Sequence, residues 1–582
     1  MKIFHASNLQ VHYQNGFLRY LRLGNAEVLR MLYFAVRDQN WNTMPLQIKN
    51  EKIKNEIEDS FVIEYEAHCQ QNEIDFLWNC KVEGREDGSI TFEVHGKAES
   101  DFLRNRIGCC ISHPIRECAG QSVWITHLDG TEQEYAFPKL ISPHQPFKNI
   151  QAMRWQVAGA TANLHFFGDT FEIEDQRNWM DASYKTYCTP LDLPFPVQVQ
   201  KGDEVRQRVE FKMVQSSTVQ SLITETKRYT LSESGESHLT PPLSLEANTE
   251  SLDDFSVERL KNLNLTFLRI EMRLHEPEWE AGFEKRTQQA KALQLPVQLV
   301  LFLNANWTKE QTILKNHHFK FKIYKIILVN INNKTLTADF LNQTLPFLKT
   351  VFRNVPIGGG TNAYFTEFNR NSPPANLLDF ASFSVNPQVH AFDDESLIEN
   401  LETPMYIIES ARYLVNLPLS VSPITLRPRF NPDATTPEKM EVGQMPFRVD
   451  VRQRTSFGAA WTLGSLLAFA KTAVQDLTYF QTVGEEGVLM PDRNSQYTDF
   501  EAVAQDIFPM YAVFELFGQF KGGTVEVLES SHPLVVAGGV LKKEGREQLI
   551  LVNYTAEAIT IQCFGQSYLL HAYQILTDYN GG

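Results

Sequence analysis

Two rhythms of apolar and polar positions divide the chain. Through residues 1–225, apolar residues recur in short alternating runs such as FVIEYEAHCQ, EIDFLWNCKVEG and SITFEVHGKA, broken by turn signals such as REDGS. A period of two places successive side chains on opposite faces of a strand, and β-branched and aromatic residues favour that geometry. A large antiparallel β-sandwich domain is the expectation for this part.

Across residues 226–522 the rhythm becomes strand then helix. PPLSLEAN, TFLRIEMRL, PVQLVLFL, FKIYKIILVNI, VPIGGGTNAYF, FASFSVNPQVHAF, LPLSVSPITLRP and DLTYFQTVG read as eight strands. Most are followed by helical segments, among them EWEAGFEKRTQQAKAL, ESLIENLETPMYIIESARYLV and FEAVAQDIFPMYAVFELFGQF. Eight such units predict a TIM (β/α)8 barrel. Residues 523–582 return to short strands and predict a small C-terminal β-sandwich domain. The fold class is thus multidomain α/β plus β.

Composition narrows the function. The formal charge is −16, and no Lys/Arg run offsets it, which argues against a nucleic-acid partner. The N-terminus lacks a signal-peptide pattern, and no run of apolar residues suits a membrane span, so no membrane partner is expected. Seven cysteines without paired CxxC spacing read as reduced, buried thiols of a cytoplasmic protein. No cofactor is expected. The oligomeric state, including a homo-oligomer, stays open.

Candidate chemistry follows from the barrel rule that reacting groups sit at the C-terminal strand ends. Those ends carry Glu246 and Asn248, Glu271 and Arg273, Asn362 and Glu367, Asn386 and His390, Arg427, and Gln481 with Glu485 and Glu486. A set so rich in amides, arginines and carboxylates suits a polyhydroxylated ligand. Glu271 and Arg273 would alternatively pair with each other inside the barrel. GGG at 358–360 lacks a phosphate-loop context and reads as a tight turn. Asn386, His390, Asp393 and Asp394 do not match a known ligand spacing, so no metal is expected. A glycoside hydrolase would commonly place a Glu after strand four and another at strand seven, about 5 Å apart in retaining enzymes. Here those ends carry Asn, and Ser, Thr and Arg.

One further stretch, FGDTFEIEDQRNWMDASYKTYCTP at 167–190, interleaves charges with Trp179, Tyr184 and Tyr187. A solvated loop explains the charges. A polar pocket with an aromatic wall explains the interleaving, and would bring Asp175, Arg177, Asn178 and Lys185 to the barrel mouth near Glu367.

FGDTFEIEDQRNWMDASYKTYCTPLDLPFPV, GGGTNAYFTEFNR, FSVNPQVHAFDD and SPITLRPRFNP resemble the D-apionate lactonases, bacterial enzymes of D-apiose catabolism. The resemblance covers most of the chain. It implies an N-terminal β-domain, a barrel and a C-terminal immunoglobulin-like domain, and hydrolysis of D-apionolactone to D-apionate with a small-molecule sugar lactone as partner. No GxSxG elbow supports a serine nucleophile. Direct attack by water is the expectation, in which Glu367 would be the general base, Arg273 or Arg427 would polarise the carbonyl, and His390 would deliver or relay protons. Asp175, Arg177, Asn178, Lys185, Glu271, Asn362, Asn386, Arg427, Gln481 and Glu485 would contact substrate. A glycosidase acting on a branched sugar and a non-catalytic sugar-binding protein are the alternatives.

Overall fold

The structure, a computed structural model, describes residues 2–57, 59–215, 228–434 and 443–578. The domain boundary expected at 225/226 lies outside the described residues. The chain forms two compact units. One runs to Arg177 and resumes at Ala182; the other holds Asn178–Asp181, the barrel and the C-terminal strands.

The first unit is one 17-stranded hydrogen-bonded sheet whose described pairings are antiparallel. Its alternation is plain in Ile74–Gly84, where Ile74, Phe76, Trp78, Cys80 and Val82 are buried and intervening residues are not. The 167–190 stretch is not a solvated loop. Phe171–Asp175 and Ser183–Tyr187 pair as antiparallel strands, every residue buried, joined through a 3-10 turn at Gln176–Trp179.

In the second unit eight parallel strands close into a barrel. In order they are Leu243–Glu246, Phe267–Arg273, Val297–Leu303, Ile323–Asn330, Ile357–Tyr364, Ala381–Val385, Leu419–Ile424 and Asp476–Gln481. Leu243 pairs with Leu477 to close the ring. The glycine triplet is not a turn: it lies inside the fifth strand. A Cβ on Gly358 would sit 2.3 Å from the Phe380 carbonyl oxygen, and one on Gly360 2.7 Å from that of Ser382, so close strand packing accounts for the glycines.

Two predicted helices are interrupted. ESLIENLETPMYIIESARYLV forms Asp394–Glu399, a 3-10 turn at Asn400–Glu402, then Thr403–Val415. Pro404 sits in the first turn of the last piece, where its missing N–H has no helical partner to lose. Of FEAVAQDIFPMYAVFELFGQF only Met510–Gln519 is helical, beginning after Pro509. The C-terminal strands form sheets of four and five strands, and each recruits a strand that precedes the barrel, Tyr229–Ser232 and Ser237–Leu239. Leu231 joins Val536, Leu549, Leu551, Ile561 and Leu570 in their buried core.

Candidate active site

Arg269, Glu271 and Arg273 alternate along the second barrel strand and so share one face. Arg269 Nη1 lies 2.6 Å from Oε1 of Glu246, the last residue of the first strand, and Nη2 lies 2.9 Å from Glu271 Oε1. Arg273 Nε donates to Glu271 Oε2 at 2.7 Å, and its guanidinium lies 4.2 Å from the Phe302 ring centre. From beyond the seventh strand, Arg429 Nη1 reaches to 3.6 Å of Glu271 Oε1. Arg429 Nη2 donates to the Asn362 carbonyl at 2.5 Å, to its Oδ1 at 3.3 Å and to Ser384 Oγ at 3.3 Å. Arg429 Nε is buried without a hydrogen-bond partner among the described residues.

Burial opposes ionisation of Glu271, yet Arg269, Arg273 and Arg429 outweigh it and hold this carboxyl well below the usual range. Glu246 goes the other way. Burial raises it, Arg269 opposes and the charge of Glu271 adds to the rise. Burial likewise raises Glu486, against the pull of Arg448, whose Nε donates to Glu486 Oε1 at 2.8 Å. Burial lowers Arg429, and neighbouring Arg269 reinforces this.

Two cavities open at these strand ends. One of about 380 Å³ is lined by Arg273, Phe302, Asn330, Asn332, Asn362 and Phe430, among others. A second of about 300 Å³ is lined by Asn248, Gln481, Glu485, Glu486, Arg448 and their neighbours. The first offers flat apolar faces beside amide and guanidinium donors, which is what a small hydroxylated ring needs.

Of the residues singled out from the sequence, Glu271, Arg273 and Asn362 come together here. Glu367 is buried, and its Oε2 accepts the Tyr364 N–H at 3.0 Å, fastening the first turn of helix Phe365–Arg370. Asn178 bonds that same helix: its Oδ1 accepts from Asn369 Nδ2 at 2.8 Å and its carbonyl from Thr366 Oγ1 at 2.7 Å. His390 Nδ1 lies 2.6 Å from Asp181 Oδ2, with Trp179 edge-on at 5.2 Å. Asn386 Oδ1 accepts the Gln388 N–H, Arg427 pairs with Asp450 at 3.1 Å, and Gln481 Oε1 accepts from Asn248 at 3.0 Å. Glu485 lies in the second cavity, held by Arg493 at 2.9 Å.

Asp175, Arg177 and Lys185 form ion pairs within the first unit. Arg177 pairs with both oxygens of Asp175, at 2.8 and 2.7 Å, and also donates to the carbonyls of Lys139 and Pro138. Lys185 pairs with Glu174 at 2.6 Å. Asp393 and Asp394, which follow His390 in the sequence, are engaged within the second unit. Asp393 caps a helix through the Ser396 N–H, and Asp394 pairs with Arg452 at 2.8 Å. Glu246, Arg269 and Arg429 complete the charged array. The strand-end rule had drawn attention to Glu246, whereas Arg269 is two residues deeper and Arg429 lies in a loop without a distinctive motif.

A closed barrel with carboxylates and guanidiniums gathered at its C-terminal strand ends is the construction of a barrel enzyme. The chain belongs to the D-apionate lactonase family: residues 1–216 match that family's N-terminal domain and residues 243–522 its TIM barrel domain. A D-apionate lactonase from Brucella anthropi is 28% identical over 581 residues, covering 96% of this chain and 93% of that protein. Among solved structures, a family 51 α-L-arabinofuranosidase, AbfB, from Bifidobacterium longum aligns with a TM-score of 0.40 and 12% identity, over 59% of this chain and 89% of that one. A GH30 endoxylanase from Clostridium papyrosolvens C71 aligns with a TM-score of 0.37 and 9% identity, over 60% of this chain and 99% of that one.

Proposed function

We propose that this protein hydrolyses D-apionolactone to D-apionate, a step of branched-pentose catabolism, at the charged mouth of the barrel. Family membership supports the reaction. The observation that carries the location is Glu271 held among three guanidiniums, with Arg273 lining a cavity of about 380 Å³ and Arg429 bound to Asn362 beside it.

Water adds to the lactone carbonyl, the acyl C–O ring bond breaks, and the ring oxygen leaves as a hydroxyl. Arg273 and Arg429 stabilise the oxyanion of the tetrahedral intermediate. Glu246 takes the proton from the attacking water and passes it to the leaving oxygen. A carboxylate raised by burial is a stronger base than an ordinary one, whereas Glu271, held far below the usual range, serves to aim the arginines. This moves the base from Glu367, whose carboxylate fastens its own helix, to Glu246. His390, paired with Asp181, is assigned the relay to solvent of the proton that the product acid releases. Asn362 contacts a substrate hydroxyl.

The buried, unpaired state of the seven cysteines favours a reducing, cytoplasmic setting. The buried core shared by the two small sheets favours an immunoglobulin-like sandwich at the C-terminus.

Acid release from a panel of aldonolactones, set beside chromophore release from aryl glycosides, tests the reading. Acid release from D-apionolactone with no glycosidase activity supports it. Chromophore release alone replaces it with a glycosidase, and binding with neither reaction makes the protein a sugar-binding protein. Glu246→Gln is expected to lower kcat by about 10²-fold or more with the fold intact.

A further inference from the structure

We infer that Tyr364 is a positioning residue: its hydroxyl locks the backbone of Phe430 and so holds Arg429 against Asn362 beside the cavity. This rests on the oxyanion role proposed for Arg429 and names what sets that role up.

Tyr364 ends the fifth barrel strand and is buried. Its hydroxyl donates to the Phe430 carbonyl at 2.8 Å and accepts from the Phe430 N–H at 3.2 Å. One phenol therefore satisfies both main-chain groups of a residue in a loop that has no ladder of its own. The two rings also lie 5.8 Å apart at 33°, adding a packing contact. Phe430 is the residue after Arg429 and itself lines the cavity of about 380 Å³. With its neighbour fixed at both N–H and C=O, Arg429 keeps little freedom. Its Nη2 meets Asn362, two residues before Tyr364 on the same strand.

The anchor is itself anchored. The Tyr364 N–H is held by Glu367, so the carboxylate that stood out in the sequence lies at the start of a chain running Glu367, Tyr364, Phe430, Arg429. Burial raises the Tyr364 phenol above its ordinary value, which keeps the hydroxyl protonated as the donor. A guanidinium must sit within about half an ångström of its productive hydrogen-bonding position to act fully on a developing oxyanion, and misplacement by about 1 Å costs on the order of 10²-fold.

Tyr364→Phe removes the hydroxyl and keeps the ring. The expected result is a fall in kcat of about 10-fold or more, with KM for the lactone changed less than about threefold. In an Arg429→Lys background the same substitution should produce no further fall in kcat, while still lowering Tm as it does in the parent. A crystal structure of Tyr364→Phe gives a readout independent of activity: Phe430 shifts and the Arg429–Asn362 contact is lost. Unchanged kcat, an equal fall in the Arg429→Lys background, or an undisturbed Arg429–Asn362 contact would each overturn the inference. Full activity of Arg429→Lys and Arg429→Ala would instead overturn the oxyanion role, and the crystal structure would still decide the positioning.

Discussion

Glu246 and Glu271 share the guanidinium of Arg269, yet they lie on opposite sides of the ordinary carboxylate value of 4.5. The difference is one of charge: Glu271 faces three arginines, and Glu246 has burial and Glu271 itself against its ionisation. Two consequences follow with opposite signs. As a base with a raised pKa, Glu246 should give kcat/KM an acidic limb centred above 4.5, which Glu246→Gln abolishes. Glu271 has a depressed folded pKa, so the stability it contributes is present above its unfolded value near 4.5 and is lost as pH falls below it. Urea midpoints measured between pH 7 and pH 3 should show that loss, and Glu271→Gln should flatten it. Glu367→Gln should lower Tm through its helix turn, and any fall in turnover should pass through Tyr364. The sequence made Glu271, Arg273 and Asn362 visible because strand ends announce themselves. It could not show that Glu367 would turn back onto its own helix, or that Arg429 would swing in from a loop, because neither contact leaves a local pattern.

At the scale of elements, the barrel was legible because eight buried strands separated by helical periods leave few other architectures. What misled was local chemistry read without its neighbours. GGG at 358–360 has a turn's composition, but its glycines are there because the Phe380 and Ser382 carbonyls leave no room for a Cβ. Gly358→Ala should therefore destabilise by about 1–3 kcal/mol in denaturant unfolding, as overpacking does. The charges of 171–187 suggested either solvent or a pocket, yet in this buried strand–turn–strand segment Arg177 pairs with Asp175 and Lys185 with Glu174. Asn178–Asp181 belongs to the second unit, where Asn178 bonds Thr366 and Asn369 and Asp181 pairs with His390. Strands 229–232 and 237–239 complete the C-terminal sheets, a partnership that segments so short do not announce in their own sequence.

Across the barrel, two charged clusters lie at opposite ends. The C-terminal strand ends hold the charged mouth. Near the other end Lys325 pairs with Asp476, whose Oδ1 also accepts Ser420 Oγ at 2.6 Å, linking the fourth, seventh and eighth strands. Lys325→Met leaves Asp476 buried and unpaired and should cost about 3–5 kcal/mol in urea unfolding, with turnover by the remaining folded protein unchanged. No described helix is long and apolar enough to cross a membrane. The central claim, lactone hydrolysis with Glu246 as base, is tested most directly by pH-stat titration of D-apionolactone with the full chain and its Glu246→Gln variant. One proton released per lactone by the parent, and a rate lowered about 10²-fold or more in the variant, is the predicted result. Silence from the parent, or an undiminished rate from the variant, would contradict it.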